Sequence, residues 1–181
     1  MNAKGTNDQG FQVASAVSVC TTATFKTEGE VAVPSETLLI HPEYTKCEVN
    51  LAGTHLATVT TTGCNYVFHA AAPNTPEGSV DLECAAGDEI KVHVSGLNCE
   101  IKVPAQAGLK TIEYENGEGM VTVNANVTGI AWTSNCTQLE KSSGNEGEYR
   151  EGQIVEETPE MGAGPATALT EPVEDEGQDV A

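Results

Sequence analysis

Apolar residues recur at every second position in short runs along this chain, and nearly every run stops at glycine, proline or asparagine. The pattern is plainest where Ile90, Val92 and Val94 alternate with Lys91, His93 and Ser95. Successive side chains of a strand point to opposite faces, so such a run buries one face and wets the other. Val13, Val17 and Val19 alternate with Ser and Ala in the same way, which reads as one strand over residues 11–19. Further short strands are expected at 22–27, 30–33 and 37–41, the last two bounded by Pro34 and Pro42. Residues 56–62 and 64–70 flank Thr62-Gly63 and read as a hairpin. Ala86-Gly87-Asp88 separates 79–84 from 89–95, and Gly96-Leu97-Asn98 leads into 99–103. Residues 110–115 and 120–127 surround Asn116-Gly117-Glu118-Gly119, a strong hairpin signal. A core strand at 129–133 carries Trp132, the single tryptophan. No segment has the 3.6-residue period of a helix. The class expected is therefore all-β: an antiparallel β-sandwich or a related strand-rich domain.

Aromatic residues make up only 4% of the chain. Its core must be built from Val, Ala, Ile and Leu, each of which buries less area than a ring. Cross-links would compensate, and six cysteines are present: Cys20, Cys47, Cys64, Cys84, Cys99 and Cys136. They are widely spaced without a CxxC, which speaks against a zinc knuckle or a thioredoxin-type site. Disulfides are the expected use, six reduced and buried thiols the alternative. Cys47 and Cys84 each precede an Ala-Gly pair, an apolar alternation, a turn and then Cys64 or Cys99. That echo suggests the pairs Cys47–Cys64 and Cys84–Cys99, leaving Cys20–Cys136, although Ala-Gly is common enough for the echo to arise by chance. In a simple meander, however, Cys84 and Cys99 fall at opposite ends of one strand, too far apart for a bridge. The same meander sets Cys64 opposite Cys84, so Cys64–Cys84 with Cys47–Cys99 is the rival set.

The formal net charge is −19, from 27 acidic and 8 basic residues. Phosphate neutralisation needs Lys and Arg clusters, so the charge argues against nucleic acid as a partner, and equally against an anionic membrane surface. No stretch approaches the roughly 18 apolar residues of a membrane span. Residues 1–10 are polar and rich in Gly and Asn. They read as a flexible lead without the apolar stretch of a signal peptide; export, expected from the disulfides, then requires the signal to be absent from this sequence. Residues 11–155 form the single β domain, with a short strand expected near 148–155. Residues 142–181 carry eleven acidic residues and one basic one. From 156 to 181 that composition predicts an acidic, disordered tail that buries too little to offset its chain entropy.

Candidate sites are few. His69 and His93 could approach across a sheet, with Asp81 or Glu83 on the strand between them, as ligands for a divalent metal. The competing reading is histidines on a polar face, since His93 shares its face with Lys91 and Ser95. His41 and His55 carry no partner pattern. Glu113, Glu115 and Glu118 near Asn116-Gly117, and Asp88-Glu89 at another turn, raise calcium as the one cofactor weighed. No D-x-D-x-D-G loop supports it, and solvated turn carboxylates are the better reading. No G-x-S-x-G, phosphate loop or nucleophile with a motif-level base partner occurs, so no catalytic residue is assigned. Asn126-Val127-Thr128 and Asn135-Cys136-Thr137 have the form of glycosylation acceptors.

Five segments taken together, LLIHPEYTKC (38–47), GCNYVFH (63–69), VDLECAAGDEI (80–90), CEIKVPAQAGL (99–109) and VTVNANVTGI (121–130), resemble a group of exported actinobacterial proteins without an assigned function. The resemblance covers about residues 11–150. It implies an extracytoplasmic β domain with structural cysteines and supplies no catalytic residues. The long acidic tail departs from that pattern. The expected function is a non-enzymatic structural or binding module of the envelope or exterior, with a ligand or protein partner outside the cell. The alternatives are a carboxylate-dependent enzyme acting on an extracellular polymer, and a subunit that self-associates through its strand edges. A deep pocket lined by two facing carboxylates would favour the enzyme, and an unpaired strand edge the assembly.

Overall fold

The computed structural model describes residues 2–27, 37–69, 77–117 and 120–157. Of the disordered tail expected at 156–181, Glu156 and Glu157 instead pair within the last strand, opposite Ala3 and Met120; residues 158–181 lie outside the described residues, as does the strand expected at 30–33. All twelve elements are strands: β1 (Asn2–Gly5), β2 (Gln9–Val13), β3 (Ala16–Thr27), β4 (Thr37–Asn50), β5 (Thr54–Thr60), β6 (Cys64–His69), β7 (Glu77–Cys84), β8 (Ile90–Val94), β9 (Cys99–Val103), β10 (Gln106–Gly117), β11 (Met120–Ser134) and β12 (Ser143–Glu157). The antiparallel all-β class holds, and the sheet closes on itself instead of splitting into the two layers of a sandwich.

The closure follows from the register. β3, β4, β11 and β12 are long, and each pairs with one short strand over one half and another over the other half. β4 meets β5 through Cys47–Asn50 and β6 through Thr37–Ile40. β12 meets β2 through Glu148–Arg150 and β1 through Ile154–Glu156. The short strands thus join end to end: β1 with β2, β5 with β6, β7 with β8, β9 with β10. The result is eight staves in up-and-down order, the first paired to both the second and the eighth. Every described strand has a neighbour on each side, the arrangement that removes sheet edges altogether.

That closure corrects several expectations. Residues 1–10 are not simply a flexible lead, because β1 and β2 fill the slot between β3 and β12 that would otherwise expose two edges. Residues 11–19 are not one strand. The chain reverses at Ala14-Ser15, where Val13 pairs with Ala16 and Ala14 takes φ +46°. The buried face then continues through Ala16, Ser18 and Cys20, and Val17 is 37% exposed. Thr62-Gly63 and Ala86-Gly87-Asp88 do not reverse the chain either. Each is a kink within one stave, and the two kinks are bonded together, the Ala85 N–H donating to Gly63 O at 2.8 Å. Gly63 sits at φ +74°, and a Cβ there would collide with the Asp88 carboxylate. Pro42 lies inside β4 opposite this break, its carbonyl accepting from the Thr61 hydroxyl at 2.6 Å. The hairpin expected between the strands at 110–115 and 120–127 holds, but Asn116 and Gly117 lie in its ladder, opposite Val121 and Met120.

All six cysteines are bridged, as Cys20–Cys47, Cys64–Cys84 and Cys99–Cys136. The local set fails on distance along the staves. Cys47 faces Ala57, and Cys64 lies seven positions further on, about 20 Å away at strand rise. Cys84 and Cys99 lie at opposite ends of β8, as the meander argument foresaw. Cys64 and Cys84 are register partners, as in the rival set, but Cys47 is taken by its own partner across β3 and β4, Cys20. Both cross-strand bridges have Cα atoms 4.0 Å apart, near the spacing of directly opposed, non-hydrogen-bonded residues. The third bridge ties the start of β9 to the segment after β11, where Asn135 also exchanges two hydrogen bonds with the Glu100 backbone.

Candidate functional site

Inward-facing side chains fill the barrel unevenly. At the end bounded by turns 14–15, 51–53, 95–98 and 135–142, Val13, Ala16, Val49, Leu51, Val94, Ile101, Trp132 and Leu139 are all buried and close the interior. Further along the axis the staves surround a cavity of about 100 Å³ that is open to solvent over part of its boundary. Its wall is apolar over most of its area, with Phe11, Phe68, Leu82 and Ile112 prominent. Among the described residues its lining includes no Asp, Glu, Lys, Arg or His. Five of the chain's eight aromatic residues line it: Phe11, Tyr44, Tyr66, Phe68 and Tyr149.

One part of the wall is polar. Tyr44 Oη and Tyr66 Oη share a hydrogen bond of 3.0 Å. The Tyr149 hydroxyl donates to Gln9 Oε1. Gln9 Nε2 in turn donates to Asn7 O and Asn7 Oδ1, both at 3.0 Å. Tyr149 also lies within interaction range of Tyr44. These residues come from four staves (β2, β4, β6 and β12), so closure of the sheet is what assembles them. All three tyrosines are half-buried and line the cavity. Burial, ahead of every other cause, pushes all three phenols above the usual tyrosine range, so they stay protonated and neutral. Gln106 also lines the cavity, but its amide is engaged with backbone. It donates to Pro104 O and Ala131 O and accepts from the Ala131 N–H at 2.8 Å.

The residues singled out from sequence lie elsewhere. His69 and Asp81 do meet, Nε2 to Oδ2 at 2.9 Å, on β6 and β7. Asp81 Oδ1 also accepts the Gly108 N–H at 2.6 Å. That backbone bond, more than His69, holds the Asp81 carboxyl below its usual range. His93 does not join them. It sits on β8 between Thr58 and Glu100, in the other half of the barrel, because β7 and β8 are stacked along one stave and not side by side. Glu83 lies opposite Asn65, on the outer face. No three metal-ligating side chains converge among the described residues. Of the calcium candidates, Glu89 is paired to Lys102 at 2.8 Å, Glu113 and Glu115 are exposed, and Glu118 lies outside the described residues.

Gln9, Tyr44, Tyr66 and Tyr149 were not legible as a set. The available signal was compositional: a chain poor in aromatics puts three of its four tyrosines on strands well apart in sequence. Compared with known proteins, the chain matches no family model, no curated protein and no solved structure.

Proposed function

We propose that this protein is an exported, non-enzymatic binding module whose site is the interior of the barrel. The observation that carries the reading is the cavity itself, an apolar chamber holding most of the chain's aromatic residues and one group of neutral hydrogen-bonding side chains. Eight-stranded barrels have room for packed side chains or one small ligand. Small-molecule sites are usually apolar with a few fixed polar groups. Three disulfides fit an oxidising compartment. Among the described residues, no helix is long and apolar enough to cross a membrane.

The carboxylate-enzyme reading draws no support from a chamber whose lining, among the described residues, holds no carboxylate. Assembly by strand-edge pairing draws none from a sheet whose described strands are all paired on both sides. The test is titration of the folded, oxidised protein with methylenecyclohexane, followed by calorimetry and thermal melting. Saturable one-to-one binding that raises the melting point supports the reading. No binding by the wild type, or undiminished binding by Ala125→Phe, which fills the chamber, overturns it.

A further inference from the structure

The polar wall of the cavity is a chain of hydrogen bonds, and its protons can be counted. Both Gln9 amide hydrogens go to Asn7. The Tyr149 proton goes to Gln9. Tyr44 and Tyr66 hold two protons between them, and their shared bond uses one. If Tyr44 donates to Tyr66, the Tyr66 proton is left over. If Tyr44 instead donates towards Tyr149, Tyr66 donates to Tyr44 and its own oxygen keeps a free lone pair. In either arrangement Tyr66 is the last member, and its side chain lines the cavity.

Charge narrows the ligand further. An ion entering this chamber would lose much of its hydration with no opposite charge among the described lining residues, and an unpaired buried ion is strongly disfavoured. The space of about 100 Å³ is smaller than the roughly 150 Å³ apolar cavity that accommodates benzene, and its open side is what leaves room for one six-membered ring. We infer that the cavity takes a neutral molecule, about one ring or a short chain in size, whose single carbonyl or hydroxyl oxygen extends the hydrogen-bond chain at Tyr66 Oη. A carbonyl accepts the Tyr66 proton; a hydroxyl donates to the Tyr66 oxygen. The rotating phenols suit both, and the apolar body lies against the side chains around Leu82 and Ile112. This inference rests on the binding reading above.

The test is a set of one-ring probes with different heads: cyclohexanone, methylenecyclohexane, cyclohexanecarboxylate and cyclohexylammonium. Their affinities are measured calorimetrically on the full, oxidised chain. The carboxylate and the ammonium should bind at least about a hundredfold more weakly than the ketone. Tyr66→Phe should weaken cyclohexanone about tenfold and leave methylenecyclohexane within about twofold, as expected for loss of one hydrogen bond. The carbonyl stretch of cyclohexanone bound to the wild type should lie at lower frequency than in a hydrocarbon solvent, a readout that stands even if the variant does not fold. An unshifted stretch overturns the inference. So does either ion binding as well as the ketone, or a Tyr66→Phe variant that treats ketone and hydrocarbon alike. If methylenecyclohexane binds while the head group makes no difference, only this inference falls. If neither neutral probe binds, the binding reading falls with it.

Discussion

Around Trp132 the barrel interior is solid, and around Tyr66 the same sheet leaves a cavity of about 100 Å³. Both regions are lined by inward positions of the same long strands, so the contrast comes from which residues occupy them. The closed end has the largest side chain of the chain, 1% exposed, with Val49, Val94 and Ile101 around it and the Cys99–Cys136 bridge holding segment 135–142 across the opening. The hollow level combines small residues, Ser18 and Ala125, with tyrosines whose hydroxyls must find polar partners. Oxygen atoms fixed by hydrogen bonds cannot be pressed into an apolar wall to close a gap. The two cross-strand bridges lie where the staves change course. Cys20–Cys47 is beside Lys46, at φ +53°, and Cys64–Cys84 is beside Gly63 and Ala85. They clip the barrel where ladder pairing is interrupted.

Reducing all three bridges should have the largest effect, because each closes a loop of 20 to 37 residues and such loops contribute about 2–4 kcal/mol apiece. Urea unfolding with and without a phosphine reductant measures it. Equal midpoints would show that the bridges do not hold the two levels together.

Trp132→Ala should lower stability by about 3–5 kcal/mol, the usual cost of emptying a fully packed aromatic site. A loss below about 1 kcal/mol in the same assay would mean the closed end is not solid.

A matched pair tests the contrast directly. Ala16→Leu at the closed end should cost about 1–3 kcal/mol by overpacking. Ala125→Leu at the hollow level should cost less than about 1 kcal/mol, because the added methylenes have room, and it should weaken methylenecyclohexane binding. Equal costs at the two sites would erase the difference between the levels.

A smaller, pH-dependent effect belongs to the outer face. Asp81 joins β6, β7 and β10 through His69 and the Gly108 N–H. Its folded pKa is depressed, so its contribution is present above the unfolded carboxyl value of about 3.9 and is lost as pH falls through the folded value. Asp81→Asn should therefore destabilise by about 1 kcal/mol at pH 7. The gap between variant and wild type should narrow as pH falls below the unfolded value of about 3.9. A gap that persists at pH 2 would assign the loss to packing instead of charge.

The smallest effect expected is that of truncation after Glu157. Its composition gives residues 158–181 little apolar surface to bury, so the melting temperature should not change. A drop of several degrees would show that the tail covers part of the barrel.

Local chemistry written in the residues accounts for the strand class, the hairpin that joins β10 to β11 and the turn at 96–98. Alternation and turn residues act over a few positions, and no tertiary choice overrides them at these sites. The reversal at Ala14-Ser15 left no such mark, because no Gly, Pro or Asn stands there. The kinks at Gly63 and Gly87 carried the mark of a turn without being one. A glycine at positive φ signals a bend in the chain, and whether the bend reverses a strand or only offsets it depends on the neighbour it must keep pairing with. For β5 and β6 that neighbour is β4, which runs unbroken past both. The disulfide pairs, the closure of the first stave against the eighth, and the meeting of Gln9, Tyr44, Tyr66 and Tyr149 were decided by the tertiary structure. Each depends on register between distant segments, as far apart as Ala3 and Glu156, and register is set by which faces the whole sheet must bury.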